Sequence, residues 1–146
     1  MFSKATEYAL RATIYIAQTS SEDHKLGIKE ISDAIGSPKS FTAKILQQLT
    51  KNNKVISSSR GPSGGFYIAE KAKKLPVRSV LLAMGEEETL DKCVLGLKRC
   101  SEVQPCPMHE QYQPIRKQVK ELFVTKTIQE LALEIKDGVK FLKVRK

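Results

Sequence analysis

The chain has 146 residues, with 25 Lys and Arg against 16 Asp and Glu, a formal charge of +9 and a pI near 9.5. That length suits one domain with a small extension and buries a modest core without disulfide staples, and the positive balance favours a polyanionic partner, nucleic acid first. Lys4, Glu7 and Arg11 interrupt the opening stretch, which excludes a signal peptide or membrane span there, so the chain is expected to be soluble and cytoplasmic, without a membrane partner.

Ser3 is placed to cap a first helix over residues 4–19, whose apolar side runs Ala5, Ala9, Ala12 and Ile16, widened by Leu10, Ile14 and Ala17. A polar loop leads to Ile28, Ile31 and Ile35 at helical spacing, stopped by Gly36. Ser37-Pro38 opens a third helix to about Lys51, with Phe41, Ile45, Leu46 and Leu49 on its buried face. Lys39, Ser40, Thr42, Lys44 and Gln47 are expected to point outward. Two helices joined by a tight turn, the second with a polar outer face, form the pattern of a helix-turn-helix, although an ordinary helical hairpin reads the same way.

Val55 to Ser59 and Phe66 to Ala69 read as short strands around a Gly64-Gly65 turn, with Arg60-Gly61-Pro62-Ser63 at the hairpin tip. This is a candidate wing. Gly61, Gly64 and Gly65 would let backbone approach phosphate or the floor of a minor groove, and Arg60 supplies the charge that such a groove attracts; a tight turn alone would also use glycine. Next come the basic residues Lys71, Lys73 and Lys74, an apolar helical face of Val77, Val80, Leu81 and Met84, and the acidic run Glu86-Glu87-Glu88.

Residues 89–107 read as a loop that carries Cys93, Cys100 and Cys106, interrupted by Pro105 and Pro107. Beyond it, Ile115, Val119 and Leu122 fall on one side of a helix over 109–124; this stripe is too apolar for a lone terminal helix and calls for a partner subunit. Thr127 and Glu130 form a capping box for a last helix displaying Ile128, Leu131 and Ile135, and the end of the sequence is basic at Lys140, Lys143, Arg145 and Lys146.

Three thiols in a chain without an export signal point to metal or redox chemistry rather than a closed disulfide framework. Soft sulfur ligands in a short loop suit an iron-sulfur cluster or zinc; unremarkable thiols or a regulatory disulfide are the alternatives. No enzymatic motif stands out: His24 and His109 are the only histidines, and no nucleophile motif or nucleotide loop is present.

The segments Thr6-Glu7-Tyr8-Ala9-Leu10-Arg11, Ser40 to Leu49 and Arg60-Gly61-Pro62-Ser63-Gly64-Gly65-Phe66, followed by the cysteine loop, closely resemble the IscR/NsrR-type (Rrf-type) family of bacterial regulators over essentially the whole chain. The resemblance implies a mainly α, winged helix-turn-helix protein with a small β-hairpin wing and a long C-terminal dimerisation helix. Its organisation would be a DNA-binding domain at 1–84, a sensor loop at 85–107, and dimerisation and C-terminal helices at 108–146. It further implies a homodimer on a double-stranded DNA operator, with Ser40, Thr42, Lys44 and Arg60 at the DNA, and a 2Fe-2S or 4Fe-4S cluster that purification can lose. Cys93, Cys100 and Cys106 would be ligands, with the fourth position open between His109, which matches IscR-like members, and Glu7, which matches an NsrR-like carboxylate donated by the other subunit. Two departures from the family pattern are an extra residue between Leu49 and Ile56 and a longer gap between Cys93 and Cys100.

Overall fold

The computed structural model describes residues 1–51, 55–98, 101–135 and 141–143. Its first three helices are α1 (Lys4–Thr19), α2 (Ile28–Ile35) and α3 (Lys39–Lys51). Ser3 caps α1, its hydroxyl accepting from the Thr6 N–H at 3.2 Å. Gly36 ends α2 in the left-handed conformation at φ +70°, where a Cβ would be strained. Ala9, Ala12 and Ile16 of α1 meet Ile31 and Ile35 of α2 and Ile45, Leu46 and Leu49 of α3 in one core.

Polar groups fasten the same three helices. The Arg11 guanidinium donates to the Ile35 carbonyl at 3.2 Å and lies 4.5 Å from the centre of the Tyr8 ring, which meets Phe41 edge-on at 5.6 Å. One cluster from α1 thereby satisfies a last-turn carbonyl of α2 and supports the start of α3.

The strands are shorter than the sequence pattern suggests: β1 is Ser57–Ser59 and β2 is Gly65–Tyr67, paired antiparallel with Ser58 opposite Phe66. Val55, Ile56 and Ile68 flank them and turn into the core instead of extending the ladder. Leu26 adds a bridge on the other edge of β2, exchanging backbone hydrogen bonds with Phe66 at 2.9 and 2.8 Å. That bridge explains Gly65, which has φ +145° and where a Cβ would stand 2.7 Å from the Leu26 carbonyl oxygen. Gly65→Ala is expected to cost about 2 kcal/mol through backbone strain and this collision. Urea unfolding would check it, and an unchanged midpoint would remove the packing explanation.

After the wing come α4 (Glu70–Lys73), α5 (Arg78–Ala83), a 3-10 helix at Glu87–Asp91, α6 (His109–Thr125) and α7 (Ile128–Glu134). The Thr127–Glu130 capping box is present at the start of α7. Pro114 lies inside α6, beyond its first turn, and removes one backbone donor from that helix. Ile128 and Ala132 of α7 belong to the core built by α1, α2 and α3, so the last helix packs back onto the N-terminal unit. The whole is mainly helical with one two-stranded hairpin: a helix-turn-helix followed by a wing.

Candidate functional site

Helical geometry sorts the residues of α3. Ser40, Lys44, Gln47 and Lys51 are exposed and follow one another at i, i+4, i+7 and i+11, a single stripe on the outer face. Lys39 is exposed at the helix start. Thr42 corrects the sequence expectation: it is fully buried, and its hydroxyl donates to the Pro38 carbonyl at 2.9 Å. It shares its spacing with Ile45, Leu46 and Leu49, so the periodicity that identified the buried face also contained the signal against an outward Thr42. Lys51 belongs to the outward stripe by the same spacing, although sequence reasoning used it only as the helix end.

Arg60 and Ser63 are exposed at the hairpin tip, as expected. The glycines divide. A Cβ on Gly61 would meet nothing within 4 Å, whereas one on Gly64 would collide with the Ser59 carbonyl and stand 2.8 Å from the Arg60 carbonyl carbon. Gly64 and Gly65 are therefore required by the chain's own close approaches, and only Gly61 leaves open space for an outside backbone or phosphate. The Gly64 N–H donates to the Gly61 carbonyl at 2.9 Å and closes the tip.

In the cysteine loop, Cys93 is 6% exposed and Cys106 half-buried, and both are free thiols. The backbone N–H of Leu95 donates to the Cys93 sulfur at 3.4 Å. This bond lowers the Cys93 pKa from the ordinary thiol value; burial opposes it, and the N–H groups of Leu97 and Gly96 and the Cys106 side chain act with it. The fold has therefore brought two of the three thiols together and surrounded one of them with N–H donors that favour its ionised form. Cys100 lies outside the described residues. His109 is buried at the first position of α6, and its N–H donates to the Cys106 carbonyl at 3.0 Å. Glu7 is exposed in the first turn of α1. Among the described residues, no group of three or more metal-ligating side chains is assembled within one subunit.

Both ends of this loop are held by α6. Arg116 donates to the Asp91 carbonyl at 2.9 Å and Lys120 pairs with the Asp91 carboxylate at 2.7 Å, two residues before Cys93, while Cys106 leads directly into the helix. Just upstream, Glu86 accepts from the Ser3 N–H at 3.2 Å. Burial would raise the Glu86 pKa, but hydrogen bonds from Ser3 and Thr6 and the charge of Lys92 prevail and lower it. The carboxylate thus sits at the positive end of α1 and ties the base of the loop to the helix-turn-helix half. Phe2, just ahead of the Ser3 cap, and Phe123 of α6 lie 5.3 Å apart edge-on and add an apolar link between the start of α1 and α6.

Along α6, Ile115 and Leu122 are 55% and 52% exposed, while Val119 is half-buried. No helix among the described residues is long and apolar enough to cross a membrane.

Residues 2–134 match the family model of Rrf2, described as an iron-dependent transcriptional regulator. The chain is 30% identical over 133 residues to an HTH-type transcriptional regulator of Aquifex aeolicus (strain VF5), covering 90% of each chain. Among solved structures it is similar to CymR, the global cysteine regulator of B. subtilis, with a TM-score of 0.72, 18% identity and coverage of 92% of this chain and 97% of that one. It is also similar to IscR of T. potens, with a TM-score of 0.69, 16% identity and coverage of 96% and 91%.

Proposed function

The chain belongs to the Rrf2 family of transcriptional regulators, which are not enzymes, and from that premise we propose that it is a cytoplasmic homodimer whose affinity for a DNA operator is set by its cysteine loop. The observation that carries the reading is the attachment of the loop to α6 at both ends, through Asp91 on one side and Cys106 on the other. A change of state at the thiols would strain these anchors, shift the dimer helix and alter the spacing of two recognition helices. For such a change to act on DNA binding, the loop states must differ in free energy between the DNA-bound and free forms; a coupling of about 1–3 kcal/mol gives roughly 5- to 150-fold in affinity.

The donor chemistry fits an iron-sulfur cluster as far as the described residues reach. Cys93 and Cys106 are adjacent, and an N–H donor on the Cys93 sulfur is the kind of hydrogen bond that stabilises a cluster-ligating thiolate. Cys93, Cys106 and Cys100 would hold the cluster, with His109 or the other subunit's carboxylate at Glu7 in the fourth position. A bound cluster would supply iron–thiolate bonds that oxidants or nitric oxide can break. The adjacency of Cys93 and Cys106 also favours a second reading, metal-free control in which an oxidant takes two electrons and two protons from the thiols to form a disulfide. Protein purified without oxygen distinguishes them: a coloured, iron- and sulfide-bearing protein supports the first, a colourless one that binds DNA the second.

Operator recognition is assigned to the α3 stripe in the major groove and the Arg60 tip in the minor groove. In vitro selection with the purified protein should enrich a symmetric duplex, and failure to enrich any would remove the operator reading. On the selected duplex, Lys44→Ala and Arg60→Ala are each expected to cost about 1–3 kcal/mol of affinity without lowering thermal stability. Parent-like binding by both variants would locate the reading surface elsewhere.

A further inference from the structure

The segment 141–143 lies outside the residues 2–134 matched by the family model, yet it is seated on the helix-turn-helix. Phe141, Leu142 and Lys143 form a shallow cleft with Asp33 and Ala34 of α2. The Lys143 ammonium donates to the Asp33 backbone carbonyl at 3.3 Å, 110 residues away in sequence. Its methylenes run beside Gly36, where an added Cβ would stand 3.5 to 3.7 Å from them. Lys143 thus lies over the turn that leads into α3.

This position has an electrostatic consequence. The last-turn carbonyls of α2 form the negative end of that helix, and the exposed Asp33 carboxylate adds to it. In a helix-turn-helix the first helix crosses the DNA backbone while the N-terminal end of the second enters the major groove. A negative helix end beside that entrance would repel phosphate. Lys143 is exposed and has three N–H donors, of which the Asp33 carbonyl takes one, so the others can face an anion.

We infer that the 141–143 segment is an added part of the nucleic-acid interface, in which Lys143 masks the negative end of α2 and contacts a DNA phosphate beside the recognition helix. The inference rests on the DNA-binding reading above. Its alternative is purely structural, with Lys143 serving only to cap α2.

The discriminating variant is Lys143→Gln, which loses the charge but keeps an N–H donor for the Asp33 carbonyl. Binding of the full chain to mixed-sequence duplex DNA would be measured across a salt series, alongside thermal unfolding. The slope of log affinity against log salt is expected to become shallower by about 0.9 for each Lys143 engaged, or about 3.5-fold in affinity over a fourfold rise in salt. The melting temperature should hold, and Lys143→Arg should restore the parent slope. Equal slopes for parent and Lys143→Gln, with or without a change in melting temperature, would overturn the inference and leave Lys143 a structural cap. If the parent binds no duplex at any salt concentration, the DNA-binding reading fails and takes this inference with it.

Discussion

Replacing Ile115 and Leu122 together by glutamate is expected to give a folded monomer that no longer binds the operator. Both side chains are more than half exposed in the single chain, so the monomer has little packing to lose at these sites. A symmetric interface would bury each twice, once per subunit. Full burial of a large aliphatic side chain is worth about 1.5–3 kcal/mol and about half of each remains to be buried, so at about 1 kcal/mol apiece four of them contribute about 4 kcal/mol. Their loss would raise the dimer dissociation constant about 10³-fold, before counting repulsion between the new carboxylates. Val119 is the less informative site because it is half-buried within its own subunit, and a charge there would disturb the fold as well. Sedimentation at micromolar concentration, with circular dichroism as the control for folding, would check the result. A folded double variant that sediments as a dimer would place the interface on another face.

The second large effect is expected at the thiols. Under the cluster reading, Cys93→Ser and Cys106→Ser should each reduce iron and sulfide to background after anaerobic reconstitution, because serine offers no thiolate and cannot reproduce the Leu95 N–H bond to sulfur. Cys100→Ser should do the same. His109→Ala and Glu7→Ala should divide into one severe and one mild loss, which identifies the fourth ligand. A severe loss at Glu7 would mean that the site is shared between subunits and joins the sensor to α1. A severe loss at His109 would keep it at the loop and the start of α6. Normal iron and sulfide in all three cysteine variants would exclude Cys93, Cys100 and Cys106 as ligands and overturn the cysteine loop as the sensor, leaving DNA binding to rest on the helix-turn-helix and the wing.

Local signals made α1, α2, α3, α5, α6 and α7 legible in order, because Ser3 as a cap, Gly36 as a left-handed stop, the Thr127–Glu130 capping box and isoleucine spacing in α2 all act within a few residues. The short α4 and the 3-10 helix at Glu87–Asp91, which enters the segment expected to be a loop, carry too few residues to show a period and were not predicted. The sequence also identified the outward lysines of the third helix and the arginine at the wing tip. Long-range placement was left to the tertiary structure. Thr42 is polar and reads as outward, but core packing turned it inside, where the Pro38 carbonyl satisfies its hydroxyl. Gly64 and Gly65 read as openings for phosphate, whereas contacts with Ser59, Arg60 and Leu26 are what require them. Ile128 and Ala132 showed only that the last helix has an apolar face; the core beneath α1 decided what covers it. The pairing of Cys93 with Cys106, the anchoring of Asp91 by α6 and the seat of Lys143 on α2 join residues far apart in sequence. No local propensity encodes such contacts: they arise only when packing brings a donor within reach of an acceptor that would otherwise lack a partner.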